Sequence, residues 1–319
     1  MRKIKYVFYF IFCCLGFLIF SCEKEITIDL PANIAKVVVE GTIEIGKPPL
    51  VQLTKTSNVF ETIDLTNFDK ILINDANVFV NDILLEKICS SAIPDSLLES
   101  VSELTGIPIA LLTSIDYCVY TSTNPLLIGQ AEGIYNLRVE YKEEVITAST
   151  HIPAPIPLDS AWFEYYANRD SLGYIRAQLT DPNALGNAYR WFSKRINKYA
   201  SGIVKDPYFI APFGSSFNDE FFNGTTFELG YLRGLEPNSN KPDDLNDEKF
   251  LYKIGDTVVV KYCSIPLESY KFFRTFENQI GNTGSPFASP TNIVSNVEGG
   301  LGIWTGYGAT YDTVFVNAY

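Results

Sequence analysis

The chain has one histidine, one methionine and three tryptophans in 319 residues. One histidine cannot supply the two or three imidazoles of a histidine-based zinc site. Any Ser/His/Asp or Cys/His mechanism would have to use that residue, His151. It stands beside a proline-rich stretch with no nucleophile-elbow sequence near it, and reads as a boundary residue. Positive charge is also scarce, with 25 Lys+Arg against 37 Asp+Glu and a net charge of −12. Nucleic acids are bound through clustered Lys and Arg, so no nucleic-acid partner is expected. The six cysteines match no zinc spacing. Long apolar runs are missing too. The one stretch of note, Tyr6 to Phe20, is shorter than the about 20 residues of a comfortable membrane span.

That stretch follows Arg2, Lys3 and Lys5 and ends in Leu18-Ile19-Phe20-Ser21-Cys22. A basic start, an apolar run and a small residue make a secretory signal. The cysteine after Ser21 makes it resemble a bacterial lipobox. In such signals the thiol is acylated and the chain is cut before it, so residues 1–21 are read as signal peptide and Cys22 as the lipidated first residue. Removing the three basic residues would take the charge to −15. Several acyl chains hold a protein on a bilayer where one does not.

Beyond Cys22 the composition favours strands, with 22 Phe, 19 Tyr and recurrent short runs of Val, Ile and Thr. Residues 36–43, 50–54, 117–123, 133–141 and 145–152 read as strands. Residues 76–80 and 83–88 read as a hairpin around Asn81-Asp82. Pro94 to Gly106 has helical spacing, capped by Asp95 and stopped by Gly106, and is expected to pack on the strands. Pro153, Pro155 and Pro157 cannot continue a ladder and are read as a domain boundary. Strands are expected again at 160–166, 174–179, 189–196 and 257–263, with a helix from Leu267 to Ile280 and closing strands over 300–316. The fold expected is mainly β: two antiparallel β-sandwich domains, 22–153 and 154–319, with short inserted helices.

Few residues invite chemistry. Cys89 and Cys118 flank the helical insertion and are placed to staple it; Cys263 is then odd and reads as a small buried hydrophobe. The acidic run Asp243 to Glu248 lacks the calcium-loop pattern and reads as a solvated loop. Gly299-Gly300-Leu301-Gly302 has no following Lys-Ser/Thr and reads as backbone needing positive φ or close packing, not as a phosphate loop. Carboxylates are abundant but no pair stands out for hydrolysis. Trp162, Trp191 and Trp304 are expected in the core. No metal, cofactor or catalytic residue is expected. The insertion 199–249 carries Tyr208, Phe209, Phe213, Phe217, Phe221, Phe222 and Phe227 among glycines and polar residues. Such rings either fold back into their own domain or present a binding face.

Four segments together resemble one family: Glu23-Lys24-Glu25-Ile26, Lys36-Val37-Val38-Val39-Glu40-Gly41, Ile146-Thr147-Ala148-Ser149-Thr150-His151-Ile152-Pro153, and the tail from Ser285 to Gly302. Their order and spacing resemble the domain-of-unknown-function 4249 lipoproteins of Bacteroidota, over essentially the whole mature chain. The resemblance implies an immunoglobulin-like envelope protein, similar in context to accessory lipoproteins of TonB-dependent outer-membrane receptors. It implies no catalytic residue. Acidic residues after Cys22 resemble a surface-export signal, which Lys24 interrupts, so both faces of the outer membrane stay open. The expectation is a non-enzymatic outer-membrane lipoprotein, anchored through Cys22 and partnered with a β-barrel receptor. The alternative is a stand-alone carbohydrate-binding protein or hydrolase.

Overall fold

The computed structural model describes residues 35–57, 68–105, 107–236, 239, 241–282 and 292–317. The signal peptide, Cys22, the strand entry after it, Gly106 and the tail segment 285–291 lie outside the described residues.

Seventeen strands and three α-helices follow one another along the described residues. The first half holds β1 (Val37–Glu44), β2 (Leu50–Lys55), β3 (Asn77–Val80), β4 (Ile83–Leu84), β5 (Glu86–Cys89), α1 (Leu98–Thr105), α2 (Ile109–Ser114), β6 (Cys118–Thr121), β7 (Ile134–Tyr141) and β8 (Glu144–His151). The second half holds β9 (Ser160–Tyr165), β10 (Leu172–Thr180), β11 (Ala188–Arg195), β12 (Ser216–Asn218), β13 (Thr226–Tyr231), β14 (Tyr252–Lys253), β15 (Thr257–Ile265), α3 (Leu267–Asn282), β16 (Val297–Glu298) and β17 (Leu301–Phe315). The molecule is mainly β, as its β-branched and aromatic content dictates.

Local chemistry explains the turns and ends. Asn81 and Asp82 both have positive φ, 48° and 61°, the conformation a two-residue hairpin loop demands. The Pro266 carbonyl accepts the Tyr270 N–H at 3.1 Å, opening α3. Cys89 and Cys118 sit opposite each other on β5 and β6 and form a disulfide. Cys263 is free and buried.

The strands make three sheets. An eight-stranded sheet runs β12-β11-β15-β17-β1-β2-β6-β5; a five-stranded sheet runs β16-β8-β7-β3-β4; a four-stranded one joins β13, β10, β14 and β9. The long sheet draws strands from both sides of the prolines at 153–157, and residues 35–319 form one compact unit. The cause is β17, which pairs parallel with β1 and antiparallel with β15. Where the sequence suggests strands over 300–316 that close the second domain, β17 joins the two halves.

The cores keep the division that the sheet ignores. Val37, Val39, Ile43, Val51 and Trp304 of the long sheet pack with Leu137, Val139 and Ile146 of the five-stranded sheet. Further along the same face, Tyr189, Trp191, Val260, Tyr262 and Val314 pack with Ile175, Ala177 and Leu179 of β10. Side chains alternate across a strand, so the remaining positions project from the opposite, outer face. Helix α3 covers part of that face through Phe273, Tyr307 and Ile303, and α1 and α2 cover another part through Leu98, Leu112 and Tyr117.

Glycines allow the close approaches. A Cβ on Gly306 of β17 would lie 2.1 Å from the His151 carbonyl oxygen, so the proline-rich crossover can run directly against the sheet. Gly302 has φ +106°, and its Cβ would lie 1.9 Å from the Val39 carbonyl oxygen. Trp191 and Trp304 are fully buried, whereas Trp162 is only half-buried, with Arg176 stacked over it at 5.8 Å.

Candidate functional site

Between the two helical covers, part of the outer face stays open as a cavity of about 390 Å³. Sheet register explains its lining. Glu40 and Glu44 of β1 stand opposite Ile303 and Tyr307 of β17. Lys261 of β15 stands opposite Tyr311 on one side and Phe192 of β11 on the other. Phe272, Phe273 and Phe276 reach in from α3, and Tyr208 and Phe209 from the insertion. The volume suits a small organic ligand. Two other clefts, of about 380 and 430 Å³, have mostly polar residues among those lining them, such as Asn136 and Ser149, or Ser91 and Thr113.

The charged groups of the cavity fall into two sets. The first is closed upon itself. Lys261 donates to Glu44, as does Tyr311, and Lys47 lies 2.8 Å from the same carboxylate and 2.9 Å from the Tyr311 hydroxyl. Burial pushes the Glu44 pKa up, but the charges and bonds of Lys261 and Lys47 outweigh it and hold the group below its ordinary range. Lys261 is further boxed by Tyr307, Phe192 and Phe209, whose ring centres lie 5.0, 5.1 and 5.9 Å from its Nζ. On the rim Lys194 meets Glu103 of α1 at 2.8 Å, tying helix to sheet.

The second set is open. Arg190 lies flat on Phe273, 3.4 Å from the ring centre, and 4.9 Å from Phe192. Its Nη1 donates to the Tyr307 hydroxyl at 3.3 Å, while its buried Nε has no partner among the described residues. No carboxylate among the described residues comes within ion-pair distance of it. Glu40 likewise has no hydrogen bond or ion pair among the described residues. Its surface is open to the cavity while protein surrounds it, and that desolvation raises its pKa, with the Arg190 charge opposing.

A second charged cluster lies under the insertion. Arg195 is 1% exposed and donates Nε and Nη2 to Asp206 at 2.9 and 2.8 Å, and Nη1 to Asp243. Tyr199 also donates to Asp243. Arg233 is 2% exposed and bonds Asp244 at 2.6 Å and the Leu251 carbonyl at 2.9 Å. Burial works to raise the Asp243 carboxyl, but the bonds from Tyr199 and Arg195 hold it at about 2. The solvated-loop reading of 243–248 is therefore corrected for Asp243 and Asp244. They are buried, because Arg195 from β11 and Arg233 from within the insertion neutralise them.

The aromatic insertion divides. Phe217, Phe222 and Phe227 pack on one another and on the core of Tyr189 and Tyr262. Tyr208 and Phe209 face the cavity. Phe213 and Phe221 are exposed at 68% and 91%, so the seven rings do not form one binding face. His151 is exposed at the end of β8, and Asp181 accepts from Tyr189 and from the Gly224 N–H at 3.0 Å. Burial pushes the Cys263 thiol up to about 12, which leaves it an inert core residue. Sequence reasoning passed over Glu40, Arg190, Phe192, Lys261 and Phe273. For the four strand residues the signal is the alternation in β1, β11 and β15, which a single strand presents as an ordinary solvent face, and for Phe273 it is the apolar side of α3.

Fold and site together describe a layered, mainly β protein with a ligand-sized chamber on the outer face of its long sheet. The chain belongs to the family described as domain of unknown function (DUF4249), whose profile matches residues 23–312. No curated protein matches it.

Proposed function

We propose that this protein binds a small molecule and does not transform it, acting as a lipid-anchored outer-membrane accessory to a TonB-dependent β-barrel receptor. The observation that carries the binding half is the cavity. It combines ring walls with charged groups that either neutralise one another, as Lys261 and Glu44 do, or stand unengaged, as Arg190 and Glu40 do. Binding pockets show that mixture of apolar wall and few polar anchors. Among the described residues no serine, cysteine or histidine lines it, and His151 lies elsewhere. The anchoring half is supported by the lipobox-like stretch before Cys22 and by the resemblance to Bacteroidota lipoproteins.

Purification of a tagged full chain from membranes in mild detergent tests the assembly. A stoichiometric β-barrel receptor identified by mass spectrometry is the expected result. Recovery of the lone chain would overturn the accessory role and leave the stand-alone reading. Cys22→Ala is expected to lose the acyl mass and to move to the soluble fraction.

A further inference from the structure

The chamber's chemistry goes further than a generic ligand, and the step taken here rests on the cavity being a binding site. Arginine is seldom left without an anion in a desolvated place, because its charge and its donors both need partners. Arg195 on the same strand shows the usual solution, with Asp206 and Asp243 closing around it. Arg190 has one side-chain hydrogen bond, to a neutral hydroxyl at 3.3 Å, and its guanidinium carbon sits over the Phe273 ring, 3.4 Å from the ring centre and 4.9 Å from that of Phe192. Stacking fixes the plane of the guanidinium and leaves its edge donors free for an oxyanion.

Charges near Arg190 leave room for that oxyanion. Glu44 is consumed by Lys261 and Lys47. Glu40 and Glu277 both feel the Arg190 charge, and both have their pKa raised by desolvation, which favours the uncharged form. Glu277 accepts the Gly214 N–H at 3.0 Å and so faces the insertion. Among the described residues neither acid pairs with Arg190, so its guanidinium keeps no counter-ion of its own. The surrounding walls are phenyl rings: Phe192, Phe209, Phe272 and Phe276. Rings of this kind stack on flat, ring-bearing bodies.

We propose that the cavity takes an amphipathic organic anion, with a flat ring-bearing body against the phenyl walls and one terminal oxyanion on the Arg190 guanidinium.

Two fluorescent probes that differ only in their anion make the test. 8-Anilinonaphthalene-1-sulfonate carries it, and N-phenyl-1-naphthylamine is the same skeleton without it. The folded full chain in detergent is expected to bind the sulfonate saturably at one site, more tightly than the neutral amine. Arg190→Gln should weaken the sulfonate at least about tenfold, as loss of a charge-assisted hydrogen bond does, and the amine less than about twofold. Phe276→Ala should weaken both alike. Thermal unfolding checks that each variant is folded. If Arg190→Gln does not fold, Arg190→Lys replaces it, with a smaller loss confined to the sulfonate. Equal binding of the two probes, or an Arg190 variant that weakens them equally, would overturn the anion assignment while leaving the cavity a binding site. Failure of both probes to bind saturably would overturn the assignment and the cavity reading together.

Discussion

Arg190 and Arg195 lie on the same strand and project from opposite faces of the long sheet. Arg195 points into protein and is met by Asp206, Asp243 and its own backbone N–H bonded to Asp206 at 2.8 Å. Arg190 points into a chamber and is met by rings and a hydroxyl. One sequence thus shows two uses of the same side chain. A buried charge whose neighbours satisfy it pins elements together, and here it pins the 199–249 insertion to β11. A charge held flat but left without a counter-ion is poised for something that arrives from outside. The same contrast separates the acids: the bonds of Tyr199 and Arg195 hold Asp243 below its ordinary value, and desolvation raises Glu40 above its own.

The largest effect expected from this contrast belongs to Arg195. Removing one partner of a buried pair leaves the other charge uncompensated, at a cost of about 3–5 kcal/mol. Arg195→Met would strand Asp206 and Asp243, so urea unfolding of that variant should show a loss in that range. A loss below about 1 kcal/mol would break the comparison at its first term, because the cluster would then not be a staple.

Next comes the acid limb of stability. A carboxyl held at about 2 in the folded protein, against about 3.9 when unfolded, stabilises fully above the unfolded value. That stabilisation is lost as pH falls through about 2. Urea midpoints should therefore drop between about pH 4 and about pH 2. Asp243→Asn should flatten that limb while keeping the Arg195–Asp206 pair. An unchanged slope in the variant would locate the acid sensitivity elsewhere.

Arg190→Gln should cost far less than Arg195→Met. What it loses is stacking on Phe273 and Phe192, worth about 0.5–2 kcal/mol, and one hydrogen bond to the Tyr307 hydroxyl, worth about 0.5–1.5 kcal/mol, and no paired carboxylate is stranded. Its main consequence should be on ligand, as argued above. A stability loss matching that of Arg195→Met would erase the distinction between the two arginines and make Arg190 a structural residue.

Much of the fold was legible because strand signals are local. The β-branched run Val37-Val38-Val39, the Asn81-Asp82 turn and the Pro266-led helix each form for reasons contained within a few residues. The helix after Pro94 was legible too, as a short 3-10 turn at Asp95–Leu97 running into Leu98–Thr105, whereas the second helix, Ile109–Ser114, was not read. What escaped was pairing. The parallel match of β1 with β17 joins residues from the two ends of the described chain, and no local pattern announces it. The site escaped for the same reason. Glu40, Arg190 and Lys261 sit on three strands, each with an ordinary alternation, and only the sheet order brings them to one chamber. The run at Asp243 was misread because composition shows acids but not the arginines that will cover them.

The smallest effect expected concerns Glu40 and is the most direct test of the open half of the comparison. Its folded pKa is raised by desolvation, with Arg190 opposing. In the folded state it therefore holds its proton to higher pH than in the unfolded chain. Between those two values the native state binds more protons, so stability falls as pH rises, from about pH 4.3 upward. This is opposite in sign to Asp243. Glu277 and Asp312 are raised as well and contribute in the same direction, so the whole-protein slope cannot be assigned to one group. Glu40→Gln removes one contributor and keeps its shape. The variant should lose less stability than the wild type between about pH 4.3 and neutral, read as the difference between the two urea-midpoint curves. A difference that does not vary with pH would mean that Glu40 is compensated in the fold after all. The unengaged pair that defines the chamber would then reduce to Arg190 alone.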